Sequence, residues 1–410
     1  MSSMFISEDL RRRFNQLQII SNKRLSRCNG ASSGSNPPPA LNKTMNKICL
    51  LSITASHYRS RVYEMMDKEL ECDFIFGKDN ISVKRMDTSV LKNSIDIPNI
   101  HFGATKWYRQ PGLLVKTKDY NVIINDLGIY CLSVWIMLLL AKIRGQKIYH
   151  WDHGWYGKES FARKWIKRLY FGLADGSFIY GDYAIRLMKE NGFNGKKLYP
   201  IHNSLDYEKQ VELRNSIQLK SIYKEHFAND NPVLIIIGRL NLRKNLNLLI
   251  ESIAILKESY EFYNVILVGD GEDRKPMEEL SHKLGVSSQV WFYGACYDEA
   301  TNAELIYNAD MCVVPGDIGL TAIHAMTFGI PVVSHDYFPN QGPEFEAIKE
   351  GVTGAFFKHN DVDSLSATIH DWFEKHKDDR MDVRKACYKE IAENWTPEYQ
   401  LNIIKKVING

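Results

Sequence analysis

The chain has few cysteines for its size. Seven are spread over 410 residues (Cys28, Cys49, Cys72, Cys131, Cys296, Cys312, Cys387), odd in number and with no C-x-x-C spacing. A disulfide framework and a structural zinc site are therefore not expected, and a reducing cytoplasm is the natural compartment. A long hydrophobic run is also missing. The apolar stretch 127–141 lies between Asp126 and Lys142 and contains Gly128 and Ser133. A bilayer-spanning helix wants about 20 apolar residues, so this stretch reads as a buried helix of a large domain. The opening MSSMFISEDLRRRF puts acids ahead of bases and has no continuous apolar core, so a secretory signal is not expected. With 44% hydrophobic and 25% charged residues, the composition excludes a disordered, collagen-like or coiled-coil chain.

What is present divides by charge. Residues 1–210 carry 32 basic and 19 acidic side chains, whereas 211–410 carry 20 and 30. The first half is thus expected to face something anionic, nucleic acid or a membrane surface. Residues 1–45 combine a basic stretch with NGASSGSNPPPALNKT and read as a disordered basic tail and linker, the folded chain beginning beside Met45.

From residue 46 on, short apolar runs alternate with amphipathic stretches, the pattern of parallel sheets covered on both faces. Residues 46–210 form one such domain and 211–390 a second. A last helix spans 391–410 and has a path back to the first domain. The fold class is therefore α/β, with two doubly wound Rossmann-like domains facing each other across a cleft. Ligands of such folds bind beyond the carboxyl ends of the strands.

Four strand-end segments of the second half could carry chemistry. GRLNLRKN (238–245) offers Gly238, Arg239 and Lys244 at a helix start, a cradle for a diphosphate or simply a solvated basic loop. PGDIGLTAIHAM (315–326) runs from a strand through a glycine turn into a short helix, whose first amides near Gly319, Leu320 and Thr321 suit phosphate or a sugar hydroxyl. His324 sits one turn in, where a lone histidine is more often structural. VGDGED (268–273) brings Gly269, and QGPEFEAIKEGVTG (341–354) brings Glu344 or Glu346 as acceptors for hydroxyls.

Taken in order, GRLNLRKN, LVGDGED, VWFYG, ADMCVVPGDIGLTAIHAMTFGIPVVSHD and EFEAIKEGVTGAFF resemble the donor-binding domain of family 4 retaining glycosyltransferases (glycosyl transferases group 1) of the GT-B fold. The resemblance covers about residues 231–375. It implies a nucleotide-sugar donor-binding second domain and an acceptor-binding first domain. It implies a hexosyltransferase acting with retention, without metal or other cofactor, on a glycan or lipid-linked acceptor in cell-surface polysaccharide synthesis. Arg239 and Lys244 match the basic pair on the diphosphate, Phe292 the base-binding segment, and Glu346 the glutamate of E-x-x-x-x-G-x-x-G. His153, in HWDHGW, stands where such enzymes place a cleft residue near the donor sugar.

The sequence departs from the family at the E-x7-E glutamates. Gly316 stands at the first position, next to Asp317, and His324 at the second. It reads as a bacterial variant in which His324 and the helix amides still meet the donor. The segment RKWIKRLY (163–170), with Trp165 and Tyr170 among four bases, reads as an interfacial patch or as a solvated helix face. The expected location is cytoplasmic, peripheral on the inner face of the cell membrane, with no nucleic-acid partner. A weakly catalytic or non-catalytic nucleotide-sugar or membrane-binding protein and a sugar-nucleotide epimerase remain the alternative readings.

Overall fold

The computed structural model describes residues 47–78 and 83–410; the tail and linker expected over 1–45 lie outside them. The first domain is built on a seven-stranded parallel sheet. Its strands are β1 (Ile48–Ser52), β2 (Asp73–Lys78), β3 (Ser94–Pro98), β6 (Val122–Asp126), β7 (Lys147–Asp152), β8 (Gly176–Ile179) and β9 (Leu198–Pro200). A short antiparallel pair, β4 (Ile100–His101) and β5 (Tyr108–Arg109), stands apart. The sheet order is β3-β2-β1-β6-β7-β8-β9.

The second sheet has six parallel strands: β10 (Val233–Ile237), β11 (Asn264–Val268), β12 (Val290–Gly294), β13 (Met311–Val314), β14 (Val332–His335) and β15 (Gly354–Phe357). Its order is β12-β11-β10-β13-β14-β15. In both sheets the order reverses beside the first strand of the domain, between β1 and β6 and between β10 and β13. At such a reversal the connections leave in opposite directions and open a crevice at the carboxyl ends of the strands.

Strand residues alternate between the two faces of the first sheet, as the two-residue period requires. Cys49 and Leu51 point into one core cluster and Ile48 and Leu50 into the other. Helix α1 (Ser60–Leu70) covers the second of these faces, while α2 (Leu132–Arg144), α3 (Phe161–Leu173) and α4 (Asp182–Glu190) cover the first. In the second domain, α5 (Asn247–Glu258) buries Leu249, Ile250, Ile253 and Leu256 on one side, as its periodicity indicates. The other helices used below are α6 (Glu299–Asn308), α7 (Leu320–Thr327) and α8 (Val362–Lys375).

Two expectations for the first domain are corrected. The stretch from residue 127 is not a wholly buried helix. Gly128 adopts a φ of 72°, and the helix begins only at Leu132. Leu132, Ile136, Leu139 and Ile143 then form an exposed stripe at helical spacing. In RKWIKRLY, Tyr170 and Lys167 face inward instead of toward an interface. Tyr170 stacks on His150 in the core, and Lys167 pairs with the buried Glu159 at 2.8 Å.

The last helix, α9 (Pro397–Asn409), follows a Thr396 cap whose hydroxyl accepts from Tyr399 N–H. It buries Leu401, Ile404 and Ile408 in the cluster over β1, β2 and β6 of the first sheet. The end of the chain therefore completes the core that its beginning starts. Ile404 is fully buried there, so Ile404→Ala should cost about 2–5 kcal/mol of stability, read by chemical denaturation. A loss below about 0.5 kcal/mol would show that the helix does not complete this core.

Candidate functional site

At the reversal point of the second sheet, the loops leaving the strands touch backbone to backbone. A Cβ on Gly269 would lie 1.9 Å from the Gly238 carbonyl oxygen, and one on Gly316 would lie 2.1 Å from that of Arg243. Only a residue without a side chain permits either approach. Hydrogen bonds join the same loops: Gly238 N–H to Val268 O (2.9 Å), Gly269 N–H to Gly294 O (2.8 Å) and Asp317 N–H to Arg243 O (2.9 Å). Gly238, Gly269 and Gly316 thus form the floor of the crevice.

Lys244 closes one side. Its ammonium donates to the Asp317 carbonyl at 2.8 Å, tying the β10 loop to the β13 loop. Burial pulls its pKa below the usual lysine value, while the nearby Cys312, Asp317 and Glu344 oppose that shift. Arg239 is exposed and has no hydrogen-bond or ion-pair partner among the described residues. It remains available for an anion. The Asp317 carboxylate is occupied by the neighbouring Arg243, at 2.8 and 3.0 Å.

Gly319 precedes α7, whose first residues Leu320 and Thr321 are half-buried; the Thr321 hydroxyl donates to Ile237 O at 3.3 Å. Beside them lies Glu344. It is 3% exposed, and one carboxylate oxygen accepts from Asn203 Nδ2 of the first domain at 2.8 Å. The other oxygen would sit 4.0 Å from a Cβ on Gly319. Burial raises this carboxyl above the ordinary glutamate value, against the Asn203 hydrogen bond and the Lys244 charge.

Two residues expected at the donor have protein partners in the structure. The Glu346 carboxylate accepts from the backbone N–H groups of Asp182 (2.7 Å) and Tyr183 (2.9 Å). Those amides begin α4 and lack partners within the helix, which makes them a strong anchor for a carboxylate. Glu346 therefore ties the second domain to the first, and Glu344 is the glutamate turned toward Gly319. The His324 Nε2 lies 2.9 Å from Glu299 Oε1 of α6. A carboxylate thus stands beside the residue that replaces the second family glutamate. Phe292 is half-buried in β12 against the core, and its carbonyl accepts from Arg274 at 3.5 Å.

Across the crevice, the first sheet places charge at its own reversal point. Asp126, at the end of β6, accepts from Ser52 Oγ (2.9 Å) and Arg59 Nη1 (2.5 Å). Arg59 is 7% exposed and also donates to the Tyr180 hydroxyl. The Tyr180 ring lies 4.7 Å from that of His153. His153 is exposed, yet the protein around it and the Arg59 and Lys167 cations hold its pKa down to about 4. Its loop is fixed from behind: Glu159 accepts from Tyr156 and Gly157 N–H, and Lys167 donates to the Gly154 carbonyl. This loop meets the second domain where Lys158 donates to Asn340 Oδ1 at 2.8 Å.

Residues 219–390 match the family of glycosyl transferases group 1. The segment contains β10 to β15 and every second-domain residue described above. The chain is similar to the putative glycosyltransferase EpsD of Bacillus subtilis, 26% identical over 65% of this chain and 71% of EpsD. It is also similar to the uncharacterized glycosyltransferase MJ1607 of Methanocaldococcus jannaschii, 27% identical over 53% of this chain and 52% of that protein. Anabaena Alr3699/HepE, solved in complex with UDP, superposes with a TM-score of 0.67 at 15% identity, over 89% of this chain and 100% of that one. The lipopolysaccharide outer core galactosyltransferase WaaB gives a TM-score of 0.65 at 16% identity, over 88% and 99%. The fold is GT-B, and the family match and the relatives support a glycosyltransferase.

His153 should give the NMR signals of a neutral imidazole from about pH 8 down to about pH 5, with a midpoint near 4. Its depressed pKa means that the folded state binds fewer protons than the unfolded one below about pH 6.5, so this ring removes stability as pH falls from there toward 4. A midpoint near 6.5 would place the ring in bulk water.

Proposed function

We propose that this protein is a retaining, metal-independent hexosyltransferase that moves a sugar from a nucleoside-diphosphate sugar to a glycan or lipid-linked acceptor. The observation that carries the reading is the glycine-floored crevice of the second domain, with the unpaired Arg239 and the half-buried Lys244 at its rim.

Breaking the bond between sugar and diphosphate puts negative charge on the leaving oxygen and positive charge on the anomeric carbon. Cations already in place stabilise the first of these without reorganising during the reaction. Charge-assisted hydrogen bonds contribute roughly 1.5–3 kcal/mol each, so Arg239 and Lys244 supply about 3–6 kcal/mol. The α7 amides at Gly319, Leu320 and Thr321 add the positive end of a helix dipole. The Glu344 oxygen facing Gly319 accepts a hydrogen bond from a donor-sugar hydroxyl. His324, backed by Glu299, takes a ribose hydroxyl in place of the family glutamate.

His153 faces the sugar from the other domain. Held neutral, it contacts a hydroxyl without adding charge repulsion against the developing positive carbon. For retention, the acceptor hydroxyl attacks from the side on which the diphosphate departs. The departing phosphate oxygen takes its proton, so no carboxylate base is needed. The acceptor belongs to a cell-surface glycan, a reading supported by the similarity to the lipopolysaccharide core biosynthesis glycosyltransferase LpsE of Rhizobium meliloti, 29% identical over 34% of this chain.

The first domain approaches that acceptor at an anionic membrane face. The α2 stripe of Leu132, Ile136, Leu139 and Ile143 is joined on α3 by exposed Phe161, Trp165, Ile166 and Leu169. Arg163, Lys164 and Arg168 lie on the same helix. Apolar residues entering the interface beside cations fit a lipid headgroup layer, each cation contributing about 1 kcal/mol. Among the described residues, no helix is long and apolar enough to cross a membrane.

Two outcomes test these readings. Arg239→Ala and Lys244→Ala should each weaken nucleotide-sugar binding by about tenfold to a hundredfold, with melting temperature retained. Near-normal affinity in both, measured by calorimetry with the donor selected from a thermal-shift panel, removes the diphosphate assignment. Trp165→Ala combined with Ile143→Ser should abolish sedimentation with phosphatidylglycerol vesicles, and high salt should weaken it in the parent chain. Unchanged sedimentation of the double variant excludes this face.

A further inference from the structure

His202 lies on the segment that leaves β9 toward the second domain. Its ring is held between Trp395 (centroids 4.5 Å apart, 14° between planes) and Tyr399 (5.2 Å, 6°). The residue is 7% exposed and adopts a left-handed φ of 54°. Nδ1 lies 2.9 Å from the Asn394 carbonyl oxygen. A carbonyl only accepts, so Nδ1 carries the hydrogen.

The other nitrogen has no hydrogen-bond partner among the described residues. Nε2 points at the Asp182 carboxylate, 3.9 Å away, with the Glu346 carboxylate beside it. One ligand atom from each of these three residues lies within 4.8 Å of the others. In the neutral ring with hydrogen on Nδ1, the Nε2 lone pair would face two carboxylates, which is repulsive. The Lys349 and Lys189 ammoniums favour the ionised Asp182 carboxylate from a distance, and that of Lys349 is itself engaged by the Glu346 carbonyl at 2.7 Å and the Glu390 carboxylate at 3.3 Å. A metal cation held between the three groups would remove that repulsion.

We propose that Asp182, His202 and Glu346 bind one divalent cation of the zinc class, which bridges the two domains at their hinge. One imidazole nitrogen with two carboxylates is a donor set that zinc accepts, with water as a fourth ligand. A histidine that gives its other N–H to a backbone carbonyl is oriented as metal-bound histidines are. Tetrahedral zinc needs ligand atoms about 3.3 Å apart, so atoms that lie within 4.8 Å of one another would close by about 1.5 Å at most, and the Asp182 side chain, 72% exposed, is free to move toward the other two. Asp182 and His202 belong to the first domain and Glu346 to the second, so the cation resists their separation. The site is separate from the crevice that holds Arg239 and Lys244, and the inference does not depend on the transferase reading.

The test is titration of the metal-free full chain with zinc chloride at pH 7.5, by calorimetry, and with cobalt(II), by its visible absorption. The expected result is one zinc per chain with a Kd below about 10 µM, a raised melting temperature and the bands of tetrahedral cobalt. Asp182→Asn, at an exposed side chain, should weaken binding by at least about tenfold and remove the melting shift while the chain stays folded. His202→Gln should do the same where it folds. No binding up to about 100 µM, or equal affinity in Asp182→Asn, overturns the site. Because no donor or acceptor is used, such a failure leaves the transferase reading untouched.

Discussion

The geometry of the second domain depends on loops that approach to backbone contact. Gly269 lies against the Gly238 carbonyl and Gly316 against that of Arg243, so the ends of β10, β11 and β13 converge on one small area. Any side chain at these positions would prise the loops apart by an ångström or more. The Lys244 bond to Asp317 O then locks the arrangement from the rim. The cation's position follows from these contacts. It is held by a carbonyl belonging to the opposite loop, so the distance between cation and helix start is fixed by the fold.

The first domain solves a different problem, burying charge without a neutral floor. Arg59 is desolvated, yet it is kept ionised by Asp126 and satisfied further by Tyr180. A buried ion pair contributes little to stability, but breaking it leaves an uncompensated charge, which is strongly destabilising. The pair therefore acts as a rigid post around which Tyr180 and His153 are set. The Arg59 charge, opposed by that of Asp126, is also part of what keeps His153 neutral. Position and protonation state of that ring have a common origin.

The architecture was readable in the sequence wherever burial is two-sided. VLIII and MCVV are apolar throughout because helices cover both faces of their sheet, and the facing of α5 followed from its period. Readability failed where a partner from far along the chain decides the outcome. Glu344 and Glu346 are two residues apart on one short 3-10 turn, and only the position of Asn203 and of the α4 amides separates their tasks. Tyr170 faces the core because of His150 and Asn125, and the α2 stripe is exposed because nothing among the described residues covers it. The Arg59 post gave no local signal, since its partners lie 67 and 121 residues away.

The docking of α9 on the first sheet has a consequence for biosynthesis. Domains of most chains fold as units from the amino end while translation proceeds. Here the first sheet lacks Leu401, Ile404 and Ile408 until α9 has left the ribosome, long after β9. Through most of synthesis the nascent first domain therefore carries a bare apolar strip that invites chaperones. It reaches its mature form only once α9 has emerged, when the two domains consolidate together.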